Sequence, residues 1–234
     1  MKLEKLKIAV LIPDRGDRPE FLENCLRMIK AQTVQPDLIH VINYAPRSEK
    51  CDITERYRTA YHALDGMNYD CILFMENDDF YSKKYIETML LKWIENEKPE
   101  LFGTNYTYYY HIGLKRYMKL THFRRASMMN TLIKPDLNIK WPVDDYPYTD
   151  AALWQVDKFQ IENKCIRRMI SVDPGEIISI GIKHNVGMAG GHYHNNRLER
   201  YDVNDSDFSF LESVMDNESF TFYKSQHEKI QSKF

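Results

Sequence analysis

Apolar residues return along this chain with two different spacings. Short unbroken apolar runs at residues 8–12, 38–42, 71–75 and 101–104 are separated by stretches where they recur every three or four positions. Bounded runs of this kind read as strands covered on both faces. The longer spacing reads as one face of a helix. Phe21, Leu22, Cys25, Leu26 and Ile29 mark the first helix, with Asp17 and Glu20 in capping-box spacing and Pro19 in the first turn. Asp52 and Glu55 repeat that spacing before a helix to about Leu64, and Ser82 is placed to cap a helix through Glu95.

Strand and helix thus alternate at least three times over residues 1–105, the pattern of right-handed βαβ units. It predicts an α/β fold with a mostly parallel central sheet flanked by helices. The second half is more mixed. Residues 106–110, 129–134 and 177–182 read as strands, residues 149–159 as a helix, and the chain from Phe208 onward as helical. No repeat or linker interrupts it. A single catalytic domain is expected: a nucleotide-binding half at 1–105, an acceptor half at 106–195 and a helical segment at 196–234.

Composition narrows the picture modestly. A chain of 234 residues can bury a sizeable core. Its formal net charge of −2 argues against a protein that coats nucleic acid. No apolar run is long enough to span a bilayer, and the N-terminus lacks a signal-peptide pattern. Cys25, Cys51, Cys71 and Cys165 lack metal-site spacing, so free thiols in a cytoplasmic, reducing setting are expected.

The chemistry concentrates where the third apolar run ends, in Glu76-Asn77-Asp78-Asp79. Carboxylates at this density repel one another unless a cation or a buried donor compensates them. They stand at the carboxyl end of a strand, where open α/β sheets hold ligands. Hard oxygen donors suit Mg²⁺ or Mn²⁺, and these ions suit a diphosphate. Taken alone, the same residues also describe a solvated acidic turn.

The first strand ending at Pro13, the helix after it and the strand ending in Glu76-Asn77-Asp78-Asp79 together resemble a glycosyltransferase of the GT-A (Rossmann-like) fold, family 2 type. The segment Tyr148-Thr149-Asp150-Ala151-Ala152-Leu153-Trp154 resembles the acceptor-side segment of that family. Glu76 replaces a more usual Asp, Thr149 a usual Glu, and Ile42-Asn43-Tyr44 a pair of acidic residues at the end of the second strand.

The resemblance implies a sugar moved from a nucleotide-diphospho-sugar to a hydroxyl acceptor, with inversion, the acceptor being a glycan or a hydroxylated DNA base. It implies Asp79 as metal ligand with a late histidine, His184 or His192, and Asp150 as catalytic base with Asp144 and Asp145 as neighbours. Pro13, Arg15, Asn43, Tyr44, Arg58 and Asp78 are implied at the nucleotide-sugar, with Arg18 beside Arg15. Trp141, Asp145 and Trp154 are implied at the acceptor. The glycine-rich residues 187–192 read as a lid. Each residue also has a plainer reading: Arg58 as a solvated helix charge, Asp150 as a helix-start carboxylate, Trp154 as core. Two other functions use the same sheet. A nucleotidyltransferase would need a longer glycine-rich loop than residues 13–18 provide; the other is a non-catalytic sugar-nucleotide-binding module.

Overall fold

The computed structural model describes residues 6–46, 50–155, 163–164, 166–184 and 198–231. The four apolar runs become β1 (Ile8–Pro13), β2 (Leu38–Ile42), β3 (Cys71–Phe74) and β5 (Leu101–Thr104), with a two-residue β4 at Phe80–Tyr81. Between them lie α1 (Pro19–Lys30), α2 (Ile53–His62) and α3 (Tyr85–Glu95). There follow β6 (Tyr106–His111), β7 (Arg116–Thr121), β8 (Thr131–Ile133), α4 (Thr149–Leu153), β9 (Met169–Val172), β10 (Ser179–Lys183) and β11 (Val203–Asn204). Two helices, α5 (Ser209–Val214) and α6 (Asn217–Gln231), close the described chain.

The central sheet has the order β2-β1-β3-β8-β5-β9. Pairings β1–β2, β1–β3 and β5–β9 are parallel, whereas β8 runs antiparallel to both its neighbours. The fold is the mostly parallel α/β sheet that the spacing predicts. Side chains alternate across it. Ile8, Val10, Ile12 and Leu73 point into one core with Phe21, Cys25, Met28 and Trp93. Ala9, Leu11, Ile72 and Phe74 point into the other with Tyr57, Tyr61 and Trp154. Burial on both faces is why these strands read as unbroken apolar runs. A second sheet, β11-β7-β6-β10-β4, leans on the first core.

Several expectations are corrected. Neither capping box forms. Arg18 holds the N-cap position of α1, and Asp17 pairs instead with Arg15 and Arg18. Asp52 does stand at the N-cap of α2, but its carboxylate is bound by Arg56 and Arg15. Lys84, not Ser82, precedes α3. Helix α4 stops at Leu153, and Gln155 has φ +55°, which no helix continues through. Residues 128–130 form a 3₁₀ turn before β8 rather than strand. Cys25, Cys51 and Cys71 are buried free thiols, and Cys165 lies outside the described residues. No helix among the described residues is long and apolar enough to cross a membrane.

Gly103 in β5 locks the packing beside the acceptor segment. A Cβ there would meet Ala126 Cβ at 2.5 Å, Asn130 O at 2.6 Å and Trp154 Cζ2 at 2.8 Å. Two of these are backbone or rigid neighbours, so Gly103→Ala is expected to destabilise by ~1–3 kcal/mol, the usual cost of overpacking. Urea denaturation reads it directly; an unchanged midpoint would show that the backbone around Ala126 and Asn130 yields at no cost.

Candidate functional site

The carboxyl ends of β1, β2 and β3 meet in one crevice, and buried polar groups fix them there. Asp14 N donates to Ile42 O at 2.9 Å, joining the first two strand ends. The Asp14 carboxylate accepts from Asn77 Nδ2 at 2.5 Å and from Gly16 N at 3.2 Å. Gly16 has φ +73°, a backbone state that favours glycine. Arg56 is buried and donates to Asp14 O at 2.5 Å, to Ile42 O at 3.3 Å and to Asp52 Oδ2 at 2.7 Å. Its guanidinium also lies 4.2 Å over the Tyr44 ring. These bonds hold three loops in a fixed relation, as a preorganised site requires.

The acidic loop is pinned as firmly. Glu76 N donates to Tyr81 Oη at 2.6 Å, and Tyr223 Oη, from α6, donates to Asp78 O at 3.4 Å. Asp78 Oδ2 is bound by Arg18 Nη1 and lies 2.9 Å from His184 Nε2. Arg18 Nη2 also donates to Asn77 Oδ1 at 3.2 Å. Burial pushes the Asp78 carboxyl up, but Arg18, His184 and Lys183 outweigh it and hold it well below the usual carboxylate range. His184 is pushed down by burial against the pull of Asp78, so its imidazole is neutral near pH 7.

Asp79 is fully buried. Its Oδ1 accepts from Ile182 N at 2.8 Å, and its Oδ2 receives no donor among the described residues, with the Glu76 carboxyl as its side-chain neighbour. An orphaned buried carboxylate oxygen is costly. One oxygen each from Glu76, Asp78 and Asp79 lies within 4.8 Å of the others, a set that can hold a divalent cation. Burial and the neighbouring carboxylates push Asp79 well up, and burial pushes Glu76 up, with Lys183 opposing both. A cation placed against Asp79 Oδ2 would remove both penalties, so the donor set fits a hard divalent ion.

Asp150 opens α4 on the other side of the crevice. Its Oδ2 accepts from Arg125 Nη1 at 2.6 Å. Burial raises its pKa and Arg125 opposes the rise. It is close enough for its charge to raise Glu76 as well. Thr149, which stands where the resemblance expects Glu, shares a 2.7 Å hydroxyl–hydroxyl hydrogen bond with Thr54 that ties α4 to α2.

The expected site residues divide accordingly. Pro13, Arg15, Asp78 and, in addition, Arg18 line one cleft with Glu76, Asn77 and Lys183. Its volume is about 60 Å³, room for a phosphate group or a few waters. His184 joins them through Asp78. Asn43 is exposed and lines the adjoining groove between α1 and α6. Tyr44 lies under Arg56. Arg58 points away and pairs with Asp144 at 2.5 Å, while Asp145 pairs with Lys50 at 2.9 Å at the surface. Two helix positions turn about 200°, so Arg56 and not Arg58 faces the crevice. Trp154, expected at the acceptor, is 2% exposed and donates to Thr131 Oγ1 at 3.0 Å; it is core. Trp141 is half-buried, packs at 5.7 Å on Tyr61 and has an Nε1 without a partner among the described residues. His192 and the glycine-rich residues 187–192 lie outside the described residues.

Asp14, Arg56, Arg125 and Lys183 escape a sequence reading. A faint signal existed for two of them. Asp52 and Arg56 have i,i+4 spacing, and Lys183 closes an apolar strand.

No protein-family model matches this chain, and no curated protein matches it. Solved structures do. Residues 1–349 of S. aureus TarS in complex with UDP-GlcNAc match over 98% of this chain and 73% of that one, with 12% identity and a TM-score of 0.55. The same fragment with UDP matches over 98% and 72%, with 11% identity and a TM-score of 0.52. The chain spans 37% of a longer TarS structure. At these identities the likeness shows the fold, which is the GT-A fold of nucleotide-sugar transferases.

Proposed function

We propose that this chain is a glycosyltransferase of the family 2 type, which moves a sugar from a nucleotide-diphospho-sugar to a hydroxyl acceptor with inversion. The observation that carries the reading is the buried Asp79 oxygen, without a donor among the described residues, beside Glu76 and Asp78 at the carboxyl end of β3. TarS, a glycosyltransferase of the same fold, was captured with UDP and with UDP-GlcNAc, which supports a uridine-type donor here.

Pro13, Arg15 and Arg18 border the nucleotide side of the cleft, and Arg18 keeps Asp78 ionised. Glu76, Asp78 and Asp79 would hold Mn²⁺ or Mg²⁺, and that ion supplies positive charge to the leaving diphosphate. Asp150 takes the proton of the acceptor hydroxyl as that oxygen attacks the anomeric carbon. Arg125 fixes the orientation of the Asp150 carboxylate and favours its ionised form. His184 orients Asp78 within the same cation site.

A pH dependence follows. The base works ionised, so kcat/KM rises with pH through the Asp150 pKa. Burial sets that pKa above the ordinary carboxylate value of 3.8, and Arg125 limits the rise. Arg125→Met is expected to move the acid limb to higher pH and to lower the rate most at acidic pH. A pH–rate profile that keeps its acid limb in place would remove Arg125 from the mechanism.

The bond that breaks tests the reaction class. Glycosyl transfer, even to water, cleaves between the sugar and the β-phosphate and releases a nucleoside diphosphate. Nucleotidyl transfer cleaves between the phosphates and leaves a sugar phosphate. Phosphorus NMR of sugar-nucleotides incubated with the chain, Mn²⁺ and pyrophosphate, which is the acceptor nucleotidyl transfer would need, is expected to show the diphosphate. A sugar phosphate would establish the nucleotidyltransferase instead.

A further inference from the structure

Four cationic side chains line the cleft: Arg15, Arg18, Arg56 and Lys183. Three are committed to their own chain. Arg15 donates to Lys50 O and pairs with Asp52 and Asp17. Arg18 is bound to Asp78, Asp17 and Asn77. Arg56 is taken up by Asp14 O, Ile42 O and Asp52. Lys183 differs. It is 6% exposed, and its Nζ makes no hydrogen bond and no ion pair within 4.0 Å among the described residues. Its Nζ lies 5.4 Å from the centroid of the Tyr109 ring.

An ammonium carries three N–H donors and no acceptor, and this one faces the cleft with those donors open to a ligand. What holds it charged is the field of Asp79, Asp78 and Glu76, which outweighs burial. That field explains why the charge persists but leaves its donors unused. The backbone fixes its position. Lys183 ends β10, pairs in register with His111 of β6, and its carbonyl accepts from Ile112 N at 2.8 Å. The start of the stem is therefore anchored in the second sheet beside the crevice. A mostly buried lysine whose ammonium opens into a cleft of phosphate size, with no carboxylate within ion-pair distance among the described residues, is a binding group for anionic oxygens.

We infer that Lys183 is a resident cation of the donor site, whose ammonium donates directly to the diphosphate of the nucleotide-sugar and binds it even without a divalent ion. The inference rests on the glycosyltransferase reading for the identity of its ligand. Lys183 and a metal ion held by Glu76, Asp78 and Asp79 would then share the leaving group, one fixed and one exchangeable. They also repel each other across the same carboxylates.

The test is titration calorimetry of the full chain in EDTA, with inorganic pyrophosphate and with UDP as separate probes. The wild-type chain is expected to bind pyrophosphate without metal. Lys183→Met is expected to weaken that binding by roughly 10–100-fold, the worth of a charge-assisted hydrogen bond, and Lys183→Arg to keep most of it. With Mn²⁺ alone as the probe, Lys183→Met is expected to bind the ion more tightly than wild type, because a competing positive charge is gone. If Lys183→Met does not fold, Lys183→Gln gives the same reading.

A purely structural lysine would behave otherwise. Its removal would lower the melting temperature and leave pyrophosphate affinity unchanged, which would overturn the inference. So would a wild-type chain that binds pyrophosphate only when Mn²⁺ is present. Pyrophosphate binding that depends on Lys183, in a chain that binds no UDP or other nucleoside diphosphate, would support the lysine's role and overturn the glycosyltransferase reading.

Discussion

Asp150→Asn is expected to leave donor binding nearly intact and to lower sugar transfer by roughly 10²–10⁴-fold, the usual contribution of a general base. The substitution keeps the shape of the side chain. Its amide oxygen can still accept from Arg125 Nη1, which now donates to Asp150 Oδ2 at 2.6 Å. What disappears is the ability to take a proton. The loop that carries the donor-side carboxylates is held from β4, β10 and α6, through Tyr81, Ile182 N and Tyr223, so its position does not depend on Asp150. Asp150 also has an ordinary role open to it, as a carboxylate in the first turn of a helix. In that role its loss costs a few tenths of a kcal/mol to ~1 kcal/mol in stability and nothing in rate. The kinetics separate the two: near wild-type transfer by Asp150→Asn would leave only the helix-start role.

The second large effect is expected at Asp79. Asp79→Asn keeps the bond from Ile182 N to Oδ1 and so keeps the loop in place. It replaces the orphaned Oδ2 by an amide nitrogen that repels a cation. Changes in groups that only orient a metal ligand cost roughly 10–100-fold in affinity, so replacing a direct ligand is expected to cost at least ~100-fold in Mn²⁺-dependent UDP binding. Burial raises the Asp79 pKa strongly, and asparagine is the close mimic of a protonated carboxyl. Calorimetry with UDP and Mn²⁺ that finds equal affinity in Asp79→Asn would mean that the carboxyl works in its neutral form and binds no metal.

Strands β1 and β3 of the central sheet were legible because they are buried on both faces, whereas its edge strand β9, half-buried throughout, was not read. Residues 8–12 and 71–75 have no polar side to confuse the reading. Strand β7 was missed for the converse reason: Arg116, Lys119 and Thr121 face solvent and erase the apolar signal. Strands β4 and β11, at two residues each, carry too few positions to show a period. The caps failed at the site itself. Asp17 and Asp52 have the chemistry of N-caps, but arginines from the crevice bind their carboxylates instead. Local rules tend to break where a functional site claims the residue.

The acidic loop was legible because its four residues are adjacent in sequence. Its compensation was legible only in part: Arg18 and His184 were expected at the site, but not their pairing with Asp78, and Lys183 was not expected at all. Arg18, His184 and Lys183 reach Asp78 and Asp79 from positions far away along the chain, and only the fold brings them together. Trp154 illustrates the same limit in the core. An aromatic beside Asp150 reads equally as a stacking wall or as packing. The outcome was decided by Gly103, whose missing side chain makes room for the indole.

The most direct measurement of the central claim is thermal unfolding of the wild-type chain and of Asp79→Asn against a panel of sugar-nucleotides, each with and without Mn²⁺. A ligand that binds the native state at 100 times its Kd adds ~2.7 kcal/mol of stability. For a chain of this size that is a rise of roughly 5–10 °C. The expected result is such a rise for at least one sugar-nucleotide, larger with Mn²⁺ than without, with the Mn²⁺-dependent part absent in Asp79→Asn. No rise with any sugar-nucleotide, or an equal Mn²⁺-dependent rise in both proteins, would contradict a donor site built on the carboxylates that follow β3.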